Sequence, residues 1–201
     1  MNNFLQLYDK SIRLKPNGFS LLQNDNGHDH VTVISNLQVP VLIPKTLFDE
    51  TAKEDYINLN YEIEEPIFIF DEEIEEYHLL HFIPERQKME LEQHGYSLQW
   101  LHLSGLLYKE LRQSEFYDSR KSYFSLYAED NFIDFIFEKE GKLQLMNRFE
   151  YTSSYDILYY ILNIVKQFQV SSTDISILLY NLEDEETILL LKQYIGQVFN
   201  R

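Results

Sequence analysis

Between Ser11 and Val39 the chain alternates apolar and polar positions in three short runs, and this period of two predicts strands rather than helix. Ser11 to Lys15 ends at Pro16-Asn17-Gly18, where Asn-Gly tolerates the positive φ that a tight hairpin demands. Phe19 to Gln23 returns, a polar turn follows around Asn26-Gly27, and Val31 to Val39 makes a β-branched third run. The start therefore reads as a three-stranded antiparallel meander, closed by Pro40 and Pro44. From Lys45 to Asn58 the spacing of Leu47, Phe48, Ala52 and Tyr56 predicts a helix. Ile67 to Phe70 and Tyr77 to Ile83 are apolar runs joined by the acidic stretch Asp71 to Glu76, which suits a hairpin or two strands. Pro84 opens a helix at its tolerated first position, and His94-Gly95 ends it. Tyr96 to Leu103 alternates as a strand, and Ser104 is placed to cap a helix that runs to about Ser114.

Arg112 to Lys121 has no period and reads as the connection between two halves. Beyond it the pattern returns, with strands at Ser122 to Tyr127, Phe132 to Phe137 and Leu143 to Phe149. Turns fall at Glu129-Asp130-Asn131 and Glu138 to Lys142. Ser153 with Asp156 three residues on prepares a helix cap, and Ile157, Leu158, Ile161, Leu162, Ile164, Val165 and Phe168 follow. Apolar residues on more than one side predict that this helix is buried between layers. Asp174 to Tyr180 is a strand, and Glu183 to Glu186 puts acids at the positive end of a last helix, Ile188 to Ile195 forming its body. Two meanders of similar stride, each followed by a helix, suggest an internal duplication with halves 1–117 and 118–201. The second half stops about where a final strand would come.

Composition narrows the function. The 201 residues carry 17 Lys plus Arg against 33 Asp plus Glu, a net charge of −16, which repels phosphate backbones and argues against nucleic-acid binding. The absence of cysteine excludes thiol nucleophiles, thiolate metal sites and disulfides. Only six glycines occur, too far apart for a dinucleotide fingerprint or a Walker A loop. A chain of this length buries roughly 70% of its surface on folding, enough for a core without staples. No signal segment or membrane-length apolar run is present, so the expectation is a soluble cytoplasmic protein.

Few residues suggest chemistry. Twelve carboxylates and one base, Lys53, lie between Asp49 and Glu76, a stretch read as solvated surface, with a partner-binding face or a cation site as alternatives. Asp25, His28, Asp29 and His30 gather in one turn and could begin a metal site, although such residues are ordinary in loops. His78 and His81 have opposite strand parity and cannot face one site. His102 near Ser104 resembles a nucleophile pair only in composition, since the expected role of Ser104 is to accept a helix amide. Tyr155, Tyr159 and Tyr160, with Tyr151 just before, read as core residues or, alternatively, a pocket lining.

Taken together, "SIRLKPNGFSLL", "VLIPKTLFDE", "YDILYYILNIVKQF" and "DISILLYNL", with the spacing between them, resemble the uncharacterised DUF3822 family, found mainly in Bacteroidetes. The resemblance implies a mixed α/β fold of two ribonuclease-H-like units, the actin-like ATPase fold. Such ATPases hold phosphate with an Asp-x-Gly hairpin between the first two strands of each half. Here the first hairpin, Lys15-Pro16-Asn17-Gly18, has no acid, and the second, Glu129-Asp130-Asn131-Phe132, has no glycine. Asn17, Gly18, Asp130 and Asn131 are the positions at which a nucleotide would be held. ATP and Mg are accordingly disfavoured as cofactors, no catalytic residue or metal ligand is assigned, and a protein partner is expected. The resulting expectation is a non-catalytic scaffold or adaptor. The alternatives are a nucleotide-binding protein or weak ATPase, or a small-molecule or peptide binder, using the cleft between the halves.

Overall fold

A computed structural model describes residues 11–15, 18–21, 30–95 and 97–201. The chain forms two compact units, Leu5–Leu106 and Leu107–Arg201, and the division falls inside a single helix, α3 (Leu103–Gln113).

In the first unit, β1 (Ser11–Lys15), β2 (Gly18–Leu21), β3 (His30–Ser35) and β7 (Ser97–His102) form one sheet in the order β2-β1-β3-β7. β1 and β2 pair antiparallel, as the hairpin pattern predicts. β3, however, lies on the other side of β1 and runs parallel to it, so the antiparallel meander is not continued. The reason lies in the residues: Val31, Val33 and Ile34 are all buried, so both faces of β3 are covered, which suits an interior parallel strand between β1 and β7.

A second, antiparallel sheet has the order β4-β6-β5, from β4 (Val41–Pro44), β5 (Ile67–Ile74) and β6 (Tyr77–Pro84). The acidic connector is mostly strand: β5 runs on through Asp71–Ile74, and Glu75 takes a φ of 51° in the turn. The helix expected from Lys45 to Asn58 is broken into two 3-10 turns, Lys45–Leu47 and Glu50–Ala52, and α1 (Lys53–Asn58). Phe48 and Asp49 are extended between them, and the Asp49 carboxylate accepts the Thr51 N–H (2.8 Å), restarting the coil. α2 (Glu85–Glu92) follows Pro84, with Gly95 beyond it at φ 74°. One face of the β5–β6 hairpin packs Phe70 and Ile83 against Ile12, Leu14, Val31, Val33 and Trp100 of the first sheet. The other face buries Leu80 with Ile43 and Ile57.

In the second unit, β8 (Ser122–Glu129), β9 (Phe132–Lys139) and β10 (Lys142–Glu150) form the predicted meander. β11 (Ile175–Tyr180) then joins β8 in parallel, giving the order β10-β9-β8-β11-β12. β12 (Gln197–Asn200) corrects the expectation that the half lacks a final strand, since it pairs in parallel with β11 from Ser176↔Gln197. Only Val198 and Phe199 of its four residues are half-buried, too short a run to announce a period. α4 (Ser154–Gln167) and α5 (Glu185–Tyr194) cover one face, burying Phe124, Phe135, Phe137, Ile157, Ile161, Ile177 and Leu191 together. On the other face Ser125 Oγ donates to Leu107 O of α3 (3.4 Å), and Arg112 reaches Glu138 (3.1 Å). α4 is less enclosed than predicted: Tyr155 and Tyr159 are 66% and 64% exposed, because they share the helix side opposite Ile157, Leu158 and Ile161.

Candidate functional site

The second half places its candidate residues at the end of β8. Glu129 pairs with Phe132, leaving Asp130 and Asn131 as the turn, and Asp130 adopts a φ of 52°, which its short polar side chain tolerates. The turn is fastened by its carbonyls: Tyr151 N–H donates to Asn131 O (2.8 Å) and the Tyr151 hydroxyl leans on Asp130 O (3.4 Å). Asn181, at φ 57°, donates its amide to Ala128 O (2.7 Å), tying the end of β8 to the loop before α5. Burial first, then the charges of Asp184 and Asp130, hold the Tyr151 phenol above its ordinary range.

The helix starts nearby are already occupied. At α5 the Asp184 carboxylate accepts from Glu186 N (3.2 Å), Thr187 N (3.1 Å) and the Thr187 hydroxyl, and these bonds, the hydroxyl's foremost, keep its carboxyl below the usual range. At α4 Asp156 accepts from the N–H and hydroxyl groups of both Thr152 and Ser153, with the same consequence. A phosphate needs free amides and positive potential at such a place. This end of the sheet instead offers engaged carbonyls and the acids Glu129, Asp130, Asp184, Glu185 and Glu186.

The first unit holds a second polar cluster, inside its core. Glu72 is nearly buried, and its Oε1 accepts the His102 N–H (2.5 Å) and stands 3.4 Å from His81 Nε2. His102 is wholly buried with its tautomer fixed: Nδ1 accepts the Ser104 N–H (3.1 Å), so Nε2 carries the proton and donates to Gln38 O (2.9 Å). The ring of His102, not the hydroxyl of Ser104, thus serves the start of α3, which begins two residues earlier than predicted. His78 lies on the other face of β6, stacked on Phe48 at 3.5 Å and bonded to Asp71 (2.8 Å), as strand parity requires. Among the described residues no group of three or more His, Asp or Glu is arranged to hold a metal ion.

The sequence matches the DUF3822 family, described as a protein of unknown function, over residues 17–198. The chain belongs to the DUF3822 family. Its structure is similar to that of a Bacteroides thetaiotaomicron protein with actin-like ATPase fold and unknown function (TM-score 0.76, 21% identity, 95% of this chain and 89% of that one). It is also similar to a chain of the PilM-PilN type IV pilus biogenesis complex (TM-score 0.54, 13% identity, 88% of this chain and 70% of that one). No curated protein matches. This DUF3822 protein therefore has the actin-like ATPase fold.

Of the hairpin positions expected to hold a nucleotide, Asp130 and Asn131 form the β8–β9 turn and Gly18 opens β2 opposite Lys15. Asn17 lies outside the described residues, as do Asp25, His28 and Asp29 of the suggested metal turn. Sequence reasoning missed Glu72, hidden in an acidic run, and the buried carboxylates Asp134 and Glu138. The last two carried a signal: in the apolar strand FIDFIFEK they share one parity, so both face the same covered side. Arg148 pairs with Asp134 (2.9 Å), and Arg112 with Glu138 (3.1 Å), which also accepts the Tyr117 hydroxyl.

Proposed function

We propose that this DUF3822 protein is a non-catalytic scaffold or adaptor that uses the actin-like fold to hold a protein partner rather than to hydrolyse ATP. The observation that carries the reading is the β8–β9 turn. Its carbonyls are fixed by Tyr151, its neighbours Asp130 and Asp184 are acidic, and the nearest helix amides are filled by Asp184 itself. A triphosphate brought there meets the negative charge of Glu129, Asp130, Asp184, Glu185 and Glu186. The likeness to a chain of the PilM-PilN complex supports the partner half of the proposal, since there the same fold occurs in an assembly with another protein. Among the described residues no helix is long and apolar enough to cross a membrane. The proposal extends to a cytoplasmic location, which fractionation of native cells tests.

Titration with Mg·ATP is the direct test. A ligand at 100 times its dissociation constant stabilises by about 2.7 kcal/mol, which at about 2–4 °C per kcal/mol raises the melting point by about 5–10 °C. We expect no such shift at millimolar Mg·ATP and no release of phosphate. A shift that Asp130→Ala removes, or steady turnover, overturns the scaffold reading in favour of a nucleotide-binding protein or weak ATPase.

A further inference from the structure

On the helical side of the second unit the polar outer surface is interrupted. β10, β11 and β12 all run parallel to β8, so α4 between β10 and β11 and α5 between β11 and β12 both return against the strands and lie parallel to each other. A helix that covers a sheet should turn polar residues outward. Instead Tyr155, Tyr159 and Leu189 are 66%, 64% and 61% exposed, on the sides of α4 and α5 away from the sheet. Tyr155, Tyr159 and Leu162 follow one another at intervals of four and three, the seam spacing of a helix that packs on another helix. Tyr159 is held ready for such a contact, since Tyr160 stands edge-on to it at 5.7 Å and is itself stacked on Phe149 at 4.5 Å.

The outward charges of the same two helices are sorted by end. Glu185 and Glu186 stand in the first turn of α5, Lys192 in its last turn and Lys166 in the last turn of α4, as the helix dipole favours. Among the described residues none of these four side chains has an ion pair. Asp156 and Asp184, the other acids here, are taken up by the amides and hydroxyls of their own helix starts. Because the helices are parallel, their outer face is acidic at one end, basic at the other and apolar between. Such a face is complementary to itself when turned end for end. The spacing in α5 allows the match: Leu189 lies midway between Glu186 and Lys192, so a two-fold axis at Leu189 sets Glu186 of each copy opposite Lys192 of the other.

We infer that the α4–α5 face is the contact surface of a two-fold dimer, its occupant a second, antiparallel copy of this chain, with Leu189 on the axis, Glu186 on Lys192 to either side, and Tyr155 and Tyr159 packed alongside. A second copy is selected because one sequence supplies both halves of the charge pattern in reversed order. The four outward charges sum to zero, whereas the whole chain stands at −16, so two copies meet here without adding to their repulsion. At about 0.15 M salt the screening length is about 8 Å, which preserves short pairs at the face and mutes the repulsion between the remaining charges. Helices of 14 and 10 residues are about 21 and 15 Å long and, side by side, about 20 Å wide. That is the small end of specific interfaces, so the dimer is a weak one.

Analytical ultracentrifugation of the full chain at about 0.15 M salt tests it. We expect reversible dimers with a dissociation constant below about 1 mM. Leu189→Glu should leave only monomer, because a carboxylate from each copy then meets on the axis. Every substitution at a two-fold interface acts twice, so Lys192→Glu and Glu186→Lys should each weaken the dimer about tenfold, and the double variant should recover to within about threefold of wild type. All three side chains are exposed, so the variants fold, which an unchanged circular dichroism spectrum verifies. Monomer at every concentration up to about 1 mM, dimers indifferent to Leu189→Glu, or a double variant no better than the single ones overturns the inference. A monomeric chain that instead holds a different protein through Leu189 overturns the choice of a second copy. Phosphate release from Mg·ATP, by contrast, removes the scaffold reading and leaves the dimer standing.

Discussion

Gly196 joins α5 to β12 with no room to spare. A Cβ placed on it would lie 2.0 Å from Thr173 O, 2.8 Å from Thr173 C and 3.2 Å from Ile175 O. The first distance is about 1.5 Å inside ordinary van der Waals separation, and the obstacle is main chain, not the tip of a movable side chain. Neither side yields easily. Gly196 N–H is bonded to Ser172 O (3.0 Å), and Ile175 begins β11, all six of whose residues are buried. Overpacking of this kind costs about 1–3 kcal/mol, and if β12 shifts, its ladder with β11 is lost at about 0.5–1.5 kcal/mol per hydrogen bond. We expect Gly196→Ala to destabilise by about 3 kcal/mol and to lower the melting point by about 6–12 °C. Gly95→Ala is the control, because its Cβ meets nothing within 4 Å and pays only for a φ of 74°, about 1 kcal/mol. Urea unfolding followed by far-ultraviolet circular dichroism measures both. If Gly196→Ala costs no more than Gly95→Ala, the close approach of Thr173 is not what the position is built around.

Two further outcomes follow from the charged groups. Arg148 holds Asp134 through Nε (2.9 Å) and Nη2 (3.3 Å), and Asp134 is 3% exposed, so Arg148→Met should cost about 3–5 kcal/mol by stranding a carboxylate. Adding Asp134→Leu should recover most of that loss, and a single-variant cost below about 1 kcal/mol would count against the pair. At the surface, hydrogen bonds from the Arg120 side chain, foremost, hold the Asp118 carboxyl down from 3.8 to about 2. A depressed folded value means that the pair's contribution is full above the ordinary aspartate range and disappears as pH falls through about 2. The Asp118 carboxyl carbon resonance should accordingly hold steady down to about pH 3, and Arg120→Gln should move its midpoint upward; a wild-type midpoint near 4 contradicts this.

The second unit was the more legible half because its pairings are local. Asp130 and Asn131, then Glu140 and Gly141, turn the meander within two residues each, and Asp156 lies three residues after Ser153 as a cap should. Legibility failed where a strand's partner is distant. The alternation in Val31–Ser35 does not show that both of its faces are covered, so it could not say that its neighbour is parallel β1 rather than antiparallel β2. It failed again where a local bond overrode a period, as when Asp49 took the Thr51 amide and broke the expected helix. Of the site, the turn at Asp130 was visible from its residues, but its occupied carbonyls were not, because Tyr151 lies twenty-one residues on. A groove of about 670 Å³ at the starts of β8, β11 and β12 was invisible, being assembled from segments around 121, 139, 171 and 197.

That assembly has a temporal side. β8, β9 and β10 close over tight turns, and such hairpins form in about 1–10 μs. β11 must instead find β8 across a long connection, the span from Ala128 to Asn181 being 53 residues, and β12 can add only once β11 is in place. Every wall of the groove that comes from 169–176 or 196–197 is therefore laid down in the last steps. A nascent or partly unfolded chain presents the acidic turn early and this end of the sheet late. A complete groove thus marks a unit that has finished folding, with the final strand on the sheet.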